Sequence, residues 1–388
     1  MNAPLPRIID VDTHVVEPYD LFTSRVSSKY GDAVPRVKNV DGTDFWFFGD
    51  KQASGAAAPA MAGHNEYPPF YPKTLDAAEP YTWDVSKRLK VMDKYNIRAQ
   101  VLFPNVIFFD TATLLKLESA NLMLDCVKAY NDWQVDYASA APDRFLPQTI
   151  LPFWDMDESL KELERCRKNG HRGVVFTSEP EHFGQPRLTN PAWDKLFSAV
   201  QEMGIPLNFH IGSGDLELGQ VMDPIVPPHA QYASMGVLFF MSNATALTQI
   251  ICGGICQRFP DLKFISVESG VSWLPFALAS LDWQWKNCGV PTEHADTYDL
   301  LPSEYFKRQI YGAFWFEGND LLKFAVDQLG ADNILYETDF PHPTSMSPGP
   351  ATTAQRPDEY VAEVFAGISQ ADTNKILHDN AAKLYGLD

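Results

Sequence analysis

Short apolar runs rich in β-branched residues alternate with longer segments of helical periodicity along most of the chain. A run of four to eight apolar residues bounded by breakers reads as a buried strand, and the amphipathic stretch after it as a crossover helix. Eight such runs can be placed, at residues 8–14, 99–104, 145–151, 173–177, 206–211, 263–268, 308–314 and 334–340. Several follow a turn at a helix end, as in KYNIRAQVLFP, KNGHRGVVF, EMGIPLNFH, RFPDLKFISVE and GADNILYETDFP. The repeated order of helix end, breaker and strand predicts an α/β fold with parallel strands. Eight strands with interleaved helices fit a (β/α)8 TIM barrel better than an open sheet of five or six. No GxGxxG follows the first strand, which counts against a dinucleotide-binding fold.

The 388 residues therefore read as one barrel domain, 1–388, interrupted by insertions at 15–82 and 212–245. Both insertions follow strands, which places them on the face where barrel active sites are built. They read as lids or substrate walls, or else as surface elaboration or a subunit contact. In the first, DGTDFWFFGDKQASGAAAPAMAGHNEYPPFYP, the Ala/Gly portion is expected to be mobile or loosely packed and the aromatic flanks to dock on the body. The last segment, ADTNKILHDNAAKLYGLD, reads as a closing amphipathic helix.

Charge narrows the partners. Acidic residues number 50 and basic residues 31, a formal charge of −19, which argues against nucleic acid. The expected partner is a small-molecule substrate. Five cysteines, at 126, 166, 252, 256 and 288, form no zinc knuckle or redox motif, so no disulfide framework is expected. The segment MNAPLPRIIDVDTH lacks a basic stretch followed by an apolar core, and apolar runs are broken well short of 18 residues. Neither a signal peptide nor a membrane span is expected, and the predicted location is cytoplasmic.

The polar residues at strand ends carry the candidate chemistry. In IIDVDTH, Asp12 and His14 are two apart and so share one side of the first strand. An acid and an imidazole facing a barrel interior need a partner: a metal ion, or one another in a hydrogen-bonded pair. His210 ends the fifth strand before a Gly/Ser turn, as a ligand or as a structural histidine. The eighth strand ends in ETDFPHP, with Glu337 and Asp339 of one parity and His342 beyond. Asp339 could bind metal or act as a base, or the group could cap the next helix. Asp12, His14, His210 and Asp339 together would supply a mixed N/O site for one divalent metal with an open water position. Glu268, ending the sixth strand, would face the same cavity as acid/base, substrate anchor or extra ligand. Trp273 could cover an apolar substrate, or simply pack.

The chain resembles the amidohydrolase superfamily, in the amidohydrolase-related subgroup that includes aminocarboxymuconate semialdehyde and γ-resorcylate decarboxylases. The resemblance runs through IIDVDTHVVEP, YTWDVSKRLKVMDKYNIRAQVLFP, AYNDWQVDYASAAPDRFLPQTILP, NPAWDKLF, CGGICQRFPDLKF, ILYETDFPHP and KILHDNAAKLYG. It implies a distorted (β/α)8 barrel with one divalent metal, commonly zinc and in some members manganese. It also implies dimers or larger homo-oligomers. The family's first-strand ligand pair falls on Asp12 and His14, its fifth-strand histidine on His210, and its eighth-strand aspartate on Asp339. Two positions depart. Asp12 stands where the family has His or Glu, and Glu268 stands where its decarboxylases carry a histidine.

Those departures favour a metal-dependent hydrolase of an ester, a lactone or the C–C bond of a 1,3-dicarbonyl, on a small aromatic or alicyclic compound. Asp339 and Glu268 would move protons, and Trp273 and His342 would contact substrate. Zn2+ is the first choice of metal, with Mn2+ or Fe2+ as alternatives. The runner-up is a nonoxidative decarboxylase of a small aromatic or enoic acid. Against it, an ionised Glu268 would repel the substrate carboxylate. A binding protein on a decayed enzyme fold would have lost ligands that are present here.

Overall fold

The computed structural model describes residues 5–108, 111–213, 223 and 225–387. Strand β1 (Ile8–His14) is followed, within the first insertion, by β2 (Arg36–Val40), β3 (Thr43–Phe48) and β4 (Lys51–Gly55). Then come β5 (Ile97–Phe103), β6 (Phe145–Thr149), β7 (Gly173–Val175), β8 (Leu207–His210), β9 (Phe264–Val267), β10 (Ile310–Phe314) and β11 (Ile334–Tyr336). The eight long-range strands form one parallel sheet in the order β1-β5-β6-β7-β8-β9-β10-β11, with helices between them. A bridge between Thr13 and Phe340, just past β11, brings the last strand back to the first. His14 N–H donates to Phe340 O at 2.7 Å and Asp339 N–H to Asp12 O at 3.0 Å. The barrel thus closes at its mouth through an extension of β11, beside the residues that matter most. This is the distorted TIM barrel expected.

All eight predicted strands are present, several shorter than expected. The run 334–340 is regular only to Tyr336, and 308–309 complete the helix Pro302–Gln309 instead. Every residue of β1 and β6 is buried, as strands enclosed on both faces must be. Asp10 accepts Thr338 N–H at 2.9 Å and Thr338 Oγ1–H at 2.6 Å, tying β1 to the β11 extension. The fully buried Arg88 guanidinium bonds Gln100 Oε1 and His14 O and lies over the Phe340 ring. The closing C-terminal segment is helical from Gln370 to Tyr385, with one π turn at Lys375–Asp379, and Tyr385 OH reaches Asn208 inside the barrel.

The first insertion corrects one expectation. Its Ala/Gly portion is packed, with Ala56, Ala57, Ala60 and Ala62 buried. Ala56 N–H donates to Asp44 O, and Met61 and Ala62 N–H to Pro341 O. Small side chains let this backbone lie directly on the loop after β11, where a Cβ on Gly349 would sit 3.2 Å from Gly63 Cα. β2, β3 and β4 form an antiparallel sheet. In TDFWFF the alternation turns Asp44, Trp46 and Phe48 inward. Tyr67 and Phe70, expected to dock, are instead more than half exposed.

Of the second insertion, residues 214–222 and 224 lie outside the described residues. It includes the helix Pro228–Leu238 and runs into Phe240–Cys252. His229 Nδ1 donates to Pro68 O at 2.6 Å, joining the two insertions. Among the described residues one helical stretch, Pro228–Cys252, has the length and apolar composition of a membrane span, although no span was expected. Its second half is a barrel helix. Asn243, buried there, donates to Phe209 O, Val267 O and Ser266 Oγ and ties β8 to β9.

Candidate metal centre

The barrel closure and the parity of β1 bring four predicted residues to one point. Asp12 and His14 project from the end of β1, His210 from the end of β8, and Asp339 from the extension of β11. His14 Nε2 lies 3.4 Å from Asp12 Oδ1 and 3.3 Å from Asp339 Oδ1. His210 Nε2 is 3.4 Å from the same Asp12 oxygen and 3.4 Å from Glu268 Oε2. Ligand atoms of Asp12, His14 and His210 lie within 4.8 Å of one another, as do those of Asp12, Glu268 and Asp339. All four side chains are buried.

The imidazoles are set by their outer nitrogens. His14 Nδ1 meets Pro104 O at 3.3 Å and His210 Nδ1 meets Ile211 O at 3.0 Å. A carbonyl only accepts, so each Nδ1 carries the proton and each Nε2 turns a lone pair to the centre. Both oxygens of Asp12 and both of Asp339 are buried without a well-aligned donor. Buried carboxylate oxygens beside imidazole lone pairs, those of Asp12 with no donor aligned on them, are costly in themselves and fit a divalent cation.

Glu268 and Asp339 share a backbone signature. Their φ angles are +58° and +56°, the left-handed region that costs an L-residue on the order of 1 kcal/mol. Asp339 is held there by its N–H bond to Asp12 O, and Glu268 by donating its N–H to Glu337 Oε2 at 2.9 Å. Burial, then Asp339, Asp12 and Glu337, push the Glu268 carboxyl well above the usual range. These surroundings disfavour a further charged carboxylate at Glu268, which weakens the repulsion counted against an anionic substrate.

A second chain of contacts was not anticipated. His342 stacks on His14, with centroids 3.6 Å apart, and puts Nδ1 2.9 Å from Asp339 Oδ1. Its Nε2 meets Asn105 Oδ1 at 2.6 Å, while Asn105 Nδ2 donates to Val15 O and Glu17 Oε2. With the Asn105 amide oriented this way, His342 Nε2 is a donor. Nδ1 and Asp339 then share one further proton: either the acid or the imidazolium carries it. Glu17 anchors the chain, accepting Asn105 N–H, Val106 N–H and Tyr130 O–H. Sequence reasoning missed Glu17 and Asn105; the signal available was Glu17 in VVEP, three residues past His14. Glu17→Ala leaves several buried donors without an acceptor. It should lower unfolding free energy by about 3 kcal/mol, and Glu17→Gln by less, in urea titrations. Equal stability of E17A and the parent would remove Glu17 from this structural role.

The cluster opens on a cavity of about 760 Å³. Glu268, Asp339 and His342 line its floor and Trp273 its side. Trp273 also packs, donating Nε1–H to Gly270 O and touching the Phe240 ring. Trp46, Ala56 and Ala58 come from the first insertion, and Tyr232, Val237 and Phe239 from the second. Every predicted site residue thus lies in or beside one cavity.

Relatives match nearly end to end. The 2-amino-3-carboxymuconate-6-semialdehyde decarboxylase of Dictyostelium discoideum is 24% identical over 363 residues, covering 91% of this chain and 88% of that protein. The crystal structure of an amidohydrolase from Mycobacterium avium subsp. paratuberculosis K-10 has a TM-score of 0.77 at 20% identity, covering 99% and 100% of the two chains. A dihydroxybenzoic acid decarboxylase of Polaromonas sp. JS666, solved with manganese and 2-nitroresorcinol, has a TM-score of 0.64 at 18% identity, covering 99% and 98%. The Amidohydrolase family matches residues 9–387, and the chain belongs to that family as an enzyme of its amidohydrolase-related subgroup.

Proposed function

We propose that this protein is a metal-dependent nonoxidative decarboxylase of an aromatic or enoic acid, with Asp12, His14, His210 and Asp339 as metal ligands. The observation that carries this reading is the position of Asp339. It stands between the ligand cluster and the cavity, with His342 Nδ1 2.9 Å behind it. The D. discoideum and Polaromonas relatives, both decarboxylases by name, turn the preference away from the hydrolase expected from Glu268. Manganese in the Polaromonas structure makes Mn2+ as good a candidate as Zn2+, and two carboxylates with two imidazoles suit either.

A divalent ion in the cluster would supply positive charge to bind and polarise the oxygens of the substrate. The chain's own groups do the rest. Asp339 delivers a proton to the carbon that bears the carboxylate. The bond to the carboxylate carbon then breaks, its electron pair returns to the ring or alkene, and carbon dioxide leaves. Asp339 is left ionised and regains a proton from solvent through His342. Glu268, in its protonated form, donates a hydrogen bond to a substrate oxygen, and the apolar walls exclude water.

In labelled water, the metal-loaded enzyme should release carbon dioxide from a panel of hydroxylated aromatic and enoic acids, with no oxygen-18 in the organic product. Oxygen-18 incorporation from an ester, lactone or 1,3-diketone without carbon dioxide release would replace this reading with the hydrolase. Glu268→Ala should lower kcat about 100-fold. Glu268→Gln, which keeps a neutral donor, should stay within about tenfold of the parent. A collapse in E268Q as deep as that in E268A would mean that the residue works as a titrating acid or base.

A further inference from the structure

The cavity is unsuited to a second negative charge. Its described lining residues include the carboxyls of Glu17, Glu268, Glu317 and Asp339 but no lysine or arginine. The described flanking residues have the same gap: 8–24, 52–72, 99–108, 111–115, 196–213, 223, 225–257, 264–285, 309–322 and 324–355 contain neither. These stretches include the loops that follow β1, β5, β8, β9, β10 and β11, together with the wall contributed by the first insertion. A carboxylate away from the ligand cluster would lose water and find no cation in exchange.

The outer cavity invites the opposite chemistry. Phe108, Val237, Phe316 and Leu321 line it while remaining 42%, 65%, 61% and 48% exposed. Large apolar side chains grouped at a cavity mouth mark a place where apolar surface is to be covered. A volume of about 760 Å³ is that of sites enclosing ligands well beyond a single substituted ring.

We propose that the substrate has a large uncharged apolar body, polycyclic or long-chain-substituted, and that its single anionic group sits at the ligand cluster. The identity of that anion as the carboxylate to be lost rests on the decarboxylase reading; the apolar body rests on the cavity alone. The body lies outward from Asp339 and Glu268 and ends between Val237, Phe316 and Leu321.

Calorimetric titration of the metal-loaded enzyme with salicylate, 4-hexylsalicylate and 4-hydroxyisophthalate tests this, with carbon dioxide release followed on each. A fully buried methylene strengthens binding by a factor of about 4, so the hexyl compound should bind at least about 30-fold tighter than salicylate even with partial burial. The dicarboxylate should bind at least about tenfold weaker than salicylate. Leu321→Lys should cut the hexyl advantage and strengthen the dicarboxylate at least about fivefold, because it sets a cation at the rim. Equal affinity for salicylate and its hexyl derivative, or tighter binding of the dicarboxylate by the parent enzyme, overturns the proposal. So does an L321K enzyme with an unchanged ligand order. Tighter binding of the hexyl compound, with no carbon dioxide released from any of the three or from the panel of aromatic and enoic acids, would reject the decarboxylase reading and leave the apolar body standing. Release at equal kcat/KM from all three would do the reverse.

Discussion

Asp339→Asn is expected to lower kcat for carbon dioxide release about 1,000-fold or more while the protein stays folded. The asparagine side chain keeps the shape of the carboxyl and an oxygen facing His14, so the cluster keeps a potential ligand there. What it loses is a proton that can pass to carbon. In the parent, burial pushes the Asp339 carboxyl up to about 7, with His14 pulling the other way, and His342 Nδ1 stands 2.9 Å off to return the proton. In D339N that route ends at an amide. The comparison with His342→Asn is informative, because that change leaves the acid and removes only its resupply, so a smaller loss is expected. Rapid-quench measurement of the first turnover separates the two: H342N should retain a first turnover that D339N lacks. A D339N enzyme within about tenfold of the parent would move proton delivery to another group, with Glu268 the first to examine.

How much of this was legible in the sequence varies with the kind of signal. The eight barrel strands were, because strands buried on both faces must be apolar throughout and sit between breakers. Asp12 and His14 stood out because a strand's parity puts both on the face where neither belongs without a partner. The Glu17–Asn105–His342 chain was not legible. Glu17 and Asn105 lie 88 residues apart and meet only because β1 and β5 are neighbours, which no local pattern records. The place of Glu268 depends on a left-handed backbone and on Glu337 from β11's extension, and neither has a local signature. The antiparallel sheet of the first insertion escaped for another reason. β2 and β4 are short, polar and largely exposed, so only β3 carried an alternating pattern. Alanine and glycine at 55–63 suggested loose packing from composition, whereas small side chains are what lets two backbones touch there.

Metal removal is expected to abolish activity and to lower stability together, and it separates the four proposed ligands from a merely polar cluster. Native protein should contain about one equivalent of divalent metal per chain. Dialysis against a chelator should bring activity to background, and added Mn2+ or Zn2+ should restore it. A metal that binds only the folded state adds about 4 kcal/mol when free metal is 1,000 times its Kd, so Tm should fall on chelation and recover on reloading. The physical source of that change is visible in the cluster. Asp12, Asp339, Glu268 and Glu337 crowd one buried volume, and desolvation, then mutual repulsion among these acids, raises Glu268 and Glu337 well above the usual range. A bound cation would reverse that repulsion. His210→Ala removes an imidazole that faces both Asp12 and Glu268. It should purify with little metal, a lowered Tm that added metal does not rescue, and no activity. His229→Ala serves as the control: it removes the bond to Pro68 O and the ring contact with Phe70 that join the insertions, and should keep full metal content. Retention of one equivalent of metal by H210A with parental affinity would take His210 out of the ligand set and leave it as a packed histidine donating to Ile211 O.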